Sequence, residues 1–272
     1  MSEKSLSLWK TTKYHHHLKA TEEEEIARET AITITVNGDQ YATIVCTPND
    51  VYELTLGYLA SEGLIRSVDQ VENLSIDEAK GFAYADLSIP VSFPKRSERW
   101  IGSCCGKSRE FYLKQDVNTA KTIMSQANIS TKQINQLMME FDSMAEIFNR
   151  TGGVHQAALA SGDKVIGSYI DIGRHNALDK LYGYILQNRI TLKNKCVLFS
   201  GRISSEVVLK VSKIGAGLLV AKSAPTDLAL RLADDLQITA VGFARDSNLN
   251  VYTHENRVYG DTNQNIHFLG RR

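Results

Sequence analysis

Apolar and polar positions along the chain switch between two periods. Ala31-Ile32-Thr33-Ile34-Thr35-Val36 alternates and is β-branched, which predicts a half-buried strand. Asn37-Gly38 is a turn signal, and Tyr41 to Cys46 supplies the second strand of a hairpin. Thr47-Pro48-Asn49-Asp50 opens a helix with Leu54, Tyr58 and Leu59 at helical spacing and Gly63 as its stop. Val71 to Ile76 and Phe82 to Ile89 read as strands. Pro90 to Arg109 has no period and reads as a long loop. Thr131 to Phe148 predicts one amphipathic helix, with Ile134, Leu137, Met138, Phe141, Met144, Ala145 and Phe148 on one stripe. Strands at Gln156 to Ser161 and Lys164 to Asp171 follow. Helices near 176–187, 204–214 and 225–236 then alternate with strands at 196–200, 218–222 and 239–243. Such alternation predicts an α/β fold with parallel strand pairs. The polar stretch near Lys114–Ser130 divides the chain into a β-rich part, 1–120, and an α/β part, 121–272.

Composition narrows the function classes. Lys and Arg total 31, and Asp and Glu total 31, so the formal charge is zero. Generic nucleic-acid binding, which needs a basic surface, is therefore not expected. No stretch approaches the roughly 20 apolar residues of a membrane helix, and the N-terminus lacks the apolar core of a secretory signal. A cytoplasmic protein away from the membrane is the expectation. His15, His16 and His17 read as part of a solvated arm and Glu22 to Glu25 as a solvated charge run, with no structural metal. Four cysteines are too few for a disulfide scaffold.

Two of them, Cys104 and Cys105, sit in the polar loop Ser103-Cys104-Cys105-Gly106-Lys107-Ser108-Arg109. Neighbouring cations favour the thiolate, which is the nucleophile. Cys46 and Cys196 lie in apolar strands and read as core residues. Four strand exits carry small, hydroxyl or basic residues: Asp171-Ile172-Gly173-Arg174-His175-Asn176, Ser200-Gly201-Arg202-Ile203-Ser204-Ser205-Glu206, Ser223-Ala224-Pro225-Thr226 and Gly242-Phe243-Ala244-Arg245-Asp246-Ser247-Asn248. In an open α/β sheet such exits converge on one edge, where ligands bind. Together they predict a phosphate-bearing ligand held by amides, hydroxyls and arginines. Neither a dinucleotide-binding Gly fingerprint nor a P-loop is present.

The chain resembles the FdhD family of sulfurtransferases required for formate dehydrogenase activity. The resemblance spans roughly Val36 to Tyr252. It rests on Cys46-Thr47-Pro48, Ser61-Glu62-Gly63, Ser103-Cys104-Cys105-Gly106-Lys107, Thr151-Gly152-Gly153-Val154-His155, Gly173 through Lys180, Ser200-Gly201-Arg202, Ser223-Ala224-Pro225-Thr226 and Gly242-Phe243-Ala244-Arg245. It implies a cytidine deaminase-like mixed sheet flanked by helices, with a smaller β-rich N-terminal part. It implies a homodimer that takes persulfide sulfur from a cysteine desulfurase. That sulfur would pass to the molybdenum or tungsten of a bis(molybdopterin guanine dinucleotide) cofactor, bound as substrate, for a formate dehydrogenase. It places the persulfide on Cys104 or Cys105 and part of the cofactor site at Phe243, Ala244, Arg245, Asp246, Ser247 and Asn248. Many relatives carry C-x-x-C where this chain has an adjacent pair. Arg174, Arg202, Lys222 and Arg245 become candidates for the nucleotide phosphates, and His155 and His175 for orientation or proton transfer. A zinc deaminase is not expected, because His155 is followed by Gln156 and Ala157 and no P-C-x-x-C occurs. A non-catalytic cofactor chaperone is the remaining alternative.

Overall fold

The computed structural model describes residues 3–91, 100–101, 120, 122–124 and 127–260. Its first element is an antiparallel ribbon, β1 (Leu6–His15) and β2 (Leu18–Ala27), in place of the solvated arm and charge run expected there. Its side chains remain largely exposed, Trp9 and Leu18 among them. Polar and charged residues dominate both strands, so no apolar alternation announces them. Pairing such as Trp9 with Glu24 and Lys10 with Glu23 is set by backbone ladders.

The predicted hairpin forms as β3 (Thr30–Val36) and β4 (Asp39–Cys46). With β5 (Val71–Asp77), β6 (Phe82–Leu87) and β7 (Trp100–Ile101) it builds a five-stranded sheet of order β5-β6-β3-β4-β7. Helix α1 (Val51–Ser61) leaves the end of β4. A short pair, β8 (Ile129–Ser130) with β15 (Val258–Tyr259), precedes helix α2 (Thr131–Ser143). Ser130 and Gln133 close a capping box at the start of α2. The single helix expected over 131–148 is in fact two. Met144 caps α2, and α3 (Glu146–Thr151) starts anew, leaving Met144 and Phe148 exposed. The hydroxyl of Ser143 donates back to the Glu140 carbonyl at 2.7 Å, a local bond that competes with continuation.

The second sheet comprises β9 (His155–Ser161), β10 (Lys164–Asp171), β11 (Lys195–Phe199), β12 (Leu218–Ala221), β13 (Thr239–Arg245) and β14 (Asn248–Val251), in the order β10-β9-β11-β12-β13-β14. Helices α4 (Arg174–Gln187), α5 (Ser205–Ile214) and α6 (Asp227–Asp235) connect these strands. Strands β11, β12 and β13 are parallel, and the others pair antiparallel. This is the mixed sheet flanked by helices that the sequence leads one to expect. Consecutive residues of one strand serve two cores. Val197 and Phe199 join the core beneath α1, α4, α5 and α6, whereas Cys196 and Leu198 face the core beneath α2. Burial on both faces explains why these strands read as unbroken apolar runs.

The five-stranded sheet reaches the second sheet through helices. Helix α1 lies on α4 with a glycine from each at the crossing. A Cβ on Gly57 would stand 1.8 Å from the Asp179 carbonyl oxygen, and one on Gly183 2.0 Å from that of Glu53. Both carbonyls are backbone and cannot rotate away, so any side chain forces the helices apart. We expect Gly183→Ala to destabilise the protein by about 3 kcal/mol or more, the upper range for overpacking. Urea unfolding measures the change, and a loss under about 1 kcal/mol would show that the helices separate freely.

Candidate functional site

Strand register brings the expected exits to one edge. Asp171, the last residue of β10, sits opposite His155, the first of β9. Phe199 ends β11 opposite Ala157, and Ala221 ends β12 opposite Phe199. Val220 of β12 in turn pairs with Val241 of β13. The segments beginning at Gly173, Ser200 and Lys222 therefore leave the sheet side by side, with His155 among them, and from Gly242 onward β13 continues past the end of β12, paired with β14.

The exits are tied to each other by their backbones. The Ser200 hydroxyl accepts from the Gln156 amide at 2.9 Å, and the Ser223 hydroxyl donates to the Ser200 carbonyl at 3.2 Å. The Phe243 amide donates to the Ser223 carbonyl at 3.3 Å. Gly201 has no room for a side chain, because a Cβ would stand 2.8 Å from the Phe199 ring. At the last exit the register of β13 shifts between Gly242 and Arg245, and Phe243 takes a left-handed φ of 52°. A bulky residue there is strained, and a bulge re-aims the side chains that follow. Asp246 and Ser247 also have positive φ and make the tight turn into β14. Sequence reading treats 246–248 as open loop and so misses β14, because neither turn residue is glycine.

The predicted cations divide into two groups. Arg174 lies 3.6 Å from Glu206, and Lys222 lies 2.9 Å from Asp142 of α2. Arg202 and Arg245 are exposed, and neither forms an ion pair among the described residues. His175 Nε2 is 3.1 Å from Glu206 Oε2, yet its orientation falls short of a hydrogen bond. That nitrogen and Arg174 Nε are thus buried without a hydrogen-bond partner among the described residues. A buried polar atom without a partner is uncommon, so the pair marks this edge out from the rest of the sheet. His175 and Arg174 hold the Glu206 carboxyl down at about 2, the His175 contact contributing most. His155 is pushed the other way. Burial first, then Arg174 and His175, depress its pKa against the opposing pull of Asp171. Glu206 and Asp142, which set the charge of this edge, carry no role in the sequence reading. Their partners lie on other elements, and no local spacing signals them.

Cys104 and Cys105 lie outside the described residues. Cys46 and Cys196 are core residues as expected. Burial pushes both thiols up to about 12, so neither offers a thiolate near neutral pH. Among the described residues no cluster of three or more His, Cys, Asp or Glu could hold a metal, and no helix is long and apolar enough to cross a membrane.

A depressed histidine fixes the sign of a pH effect. The unfolded chain takes up its proton near the ordinary value of 6.5, while folded His155 resists it to lower pH. Its contribution is complete above 6.5 and is lost as pH falls from there through the folded value. We expect His155→Gln to flatten thermal stability over that interval. Melting temperatures recorded against pH check this, and an unchanged slope counts against it.

The FdhD/NarQ family matches residues 27–259. The chain is 50% identical over 248 residues to the sulfur carrier protein FdhD of Geobacillus kaustophilus, covering 90% of this chain and 94% of that one. It is 52% identical over 240 residues to that of Halalkalibacterium halodurans, covering 87% and 89%. The fold is similar to the crystal structure of a protein assigned as a formate dehydrogenase accessory protein from Desulfotalea psychrophila. There the TM-score is 0.78 at 22% identity, over 93% of this chain and 99% of that chain. On both the extent and the identity of these matches, the chain belongs to the FdhD/NarQ family.

Proposed function

We propose that the protein is a sulfur carrier that loads sulfur on its cysteine pair and delivers it to a nucleotide-bearing molybdenum cofactor at the sheet edge. Sulfur carriage follows from membership in a family whose curated relatives are sulfur carrier proteins at 46–52% identity. The observation that carries the cofactor half is the clustering of exposed Arg202 and Arg245 with the unmet donors of Arg174 and His175 on one edge. Guanidinium groups pair phosphate oxygens two at a time, which a guanine dinucleotide supplies.

The first transfer is a thiol exchange. The thiolate of Cys104 or Cys105, favoured by Lys107 and Arg109, attacks the outer sulfur of a desulfurase persulfide. An S–S bond forms to the carrier, the S–S bond in the desulfurase breaks, and the desulfurase cysteine leaves as thiolate. The cofactor is substrate in this reading, the recipient enzyme is a formate dehydrogenase, and the carrier acts as a homodimer in the cytoplasm. Lys222 and Asp142 screen each other, so Lys222 contributes less to phosphate binding than Arg245 does.

Incubation with a cysteine desulfurase and cysteine is expected to add one sulfur atom to the tryptic peptide carrying Cys104 and Cys105. Replacing both by Ala should abolish that mass increment and the maturation of formate dehydrogenase. Full maturation by the double variant would leave a chaperone that binds cofactor without handling sulfur. GDP, as the nucleotide probe, should bind Arg245→Ala about tenfold more weakly, the worth of one charge-assisted contact. Unchanged affinity would remove Arg245 from the site.

A further inference from the structure

Behind the edge lies a buried charged cluster to which neither the family match nor the sulfur chemistry gives a task. Asp171 and Lys180 are both fully buried, and their charged atoms stand 2.8 Å apart. One carboxylate oxygen of Asp171 accepts from the Gly173 amide at 2.8 Å and from Asn176 Nδ2 at 2.9 Å. The other accepts from the Thr47 amide at 3.1 Å and the Thr47 hydroxyl at 3.0 Å. Lys180 Nζ spends its remaining protons on Thr47 Oγ1 at 2.6 Å and the Ile170 carbonyl at 3.0 Å. Asn176 reaches back to the Val45 carbonyl at 2.9 Å. The ammonium is thus held by two hydrogen bonds and an ion pair, and both oxygens of the carboxylate accept hydrogen bonds.

The cluster joins three places. Thr47 follows β4 in the N-terminal sheet, Asp171 ends β10, and Asn176 and Lys180 lie in α4. Its bonds to Gly173 and Asn176 bracket Arg174 and His175, and Asp171 is the strand partner of His155. We propose that Asp171 is a positioning residue whose buried carboxylate sets where Arg174, His175 and His155 stand at the edge. Thr47 and Lys180 in turn set where Asp171 stands. The N-terminal sheet thereby fixes the geometry of a site to which it contributes no edge residue among the described residues. A buried ion pair is a costly way to join two units, since apolar packing of the same volume serves as well or better. A carboxylate that must hold two amides and a hydroxyl at fixed angles has no apolar substitute.

Thr47→Val tests the assignment in the full-length protein. It keeps the shape and the backbone amide, and removes the hydroxyl between the two charges. The readouts are the proton titration of His155 by NMR and the affinity for GDP by calorimetry. The groups facing His155 are Asp171 of β10 and Arg174 and His175 of α4, with Glu206 of α5 reached through His175. We expect Thr47→Val to shift the His155 titration and to weaken GDP binding about tenfold, the worth of one or two hydrogen bonds. Thr47→Ser, which retains the hydroxyl, should restore both. If Thr47→Val does not fold, Asp171→Asn combined with Lys180→Met removes both charges and leaves neither uncompensated. His155 should then titrate at still lower pH, having lost its one favourable neighbour. A variant that melts earlier but keeps the His155 titration and the GDP affinity of the parent would reduce the cluster to a clamp. The GDP arm rests on the function proposed above, and the titration does not. A parent protein that fails to bind GDP would overturn that function and leave the titration to decide this one.

Discussion

Two helices touching backbone to backbone set the frame for everything else in this molecule. Gly57 and Gly183 let α1 and α4 approach until the carbonyl of each lies where a Cβ would be. That contact brings the end of β4 against the end of β10, and only then can Thr47 share a carboxylate with α4. Leu54, Leu59, Leu178 and Leu181 fill one continuous core on both sides of the crossing, so the halves are packed as one body. Removing either partner of the Asp171–Lys180 pair strands a charge at full burial, typically at a cost of about 3–5 kcal/mol.

The edge illustrates how a neutral protein can gather basic groups in one place. Each cation nearest the sheet has an acid beside it, Glu206 for Arg174 and Asp142 for Lys222. The acids allow basic groups to crowd together in the unliganded protein without repelling one another. Arg202 and Arg245 stand further out in water, where solvation does the same work. In the function proposed here, a phosphate would compete with Glu206 for the inner cation and meet the outer two directly.

Much of this architecture is visible in the chain because period and packing agree. Strands buried on both faces appear as apolar runs, half-buried ones alternate, and small or basic residues mark their exits. What was not legible either lacks a local pattern or depends on partners distant in sequence. The ribbon of β1 and β2 has no apolar rhythm. The break at Met144 follows a serine whose hydroxyl turns back on its own helix, and the turn at Asp246 and Ser247 uses two non-glycine residues with left-handed backbones. Thr47 and Lys180 stand within recognisable motifs, yet their joint task needs residues more than 120 positions apart to meet. The convergence of four exits was legible, whereas which of their cations remain free was not.

The burial of Cys46 and Cys196 has a consequence for how sulfur on this protein can be counted. Both thiols are walled in by core side chains and held far from ionisation. Of the four cysteines in the chain, these two are therefore silent toward a thiol reagent while the fold is intact. Unfolding the same sample before alkylation exposes them as an internal standard. The chain thus carries its own calibration for any thiol modification of the native fold.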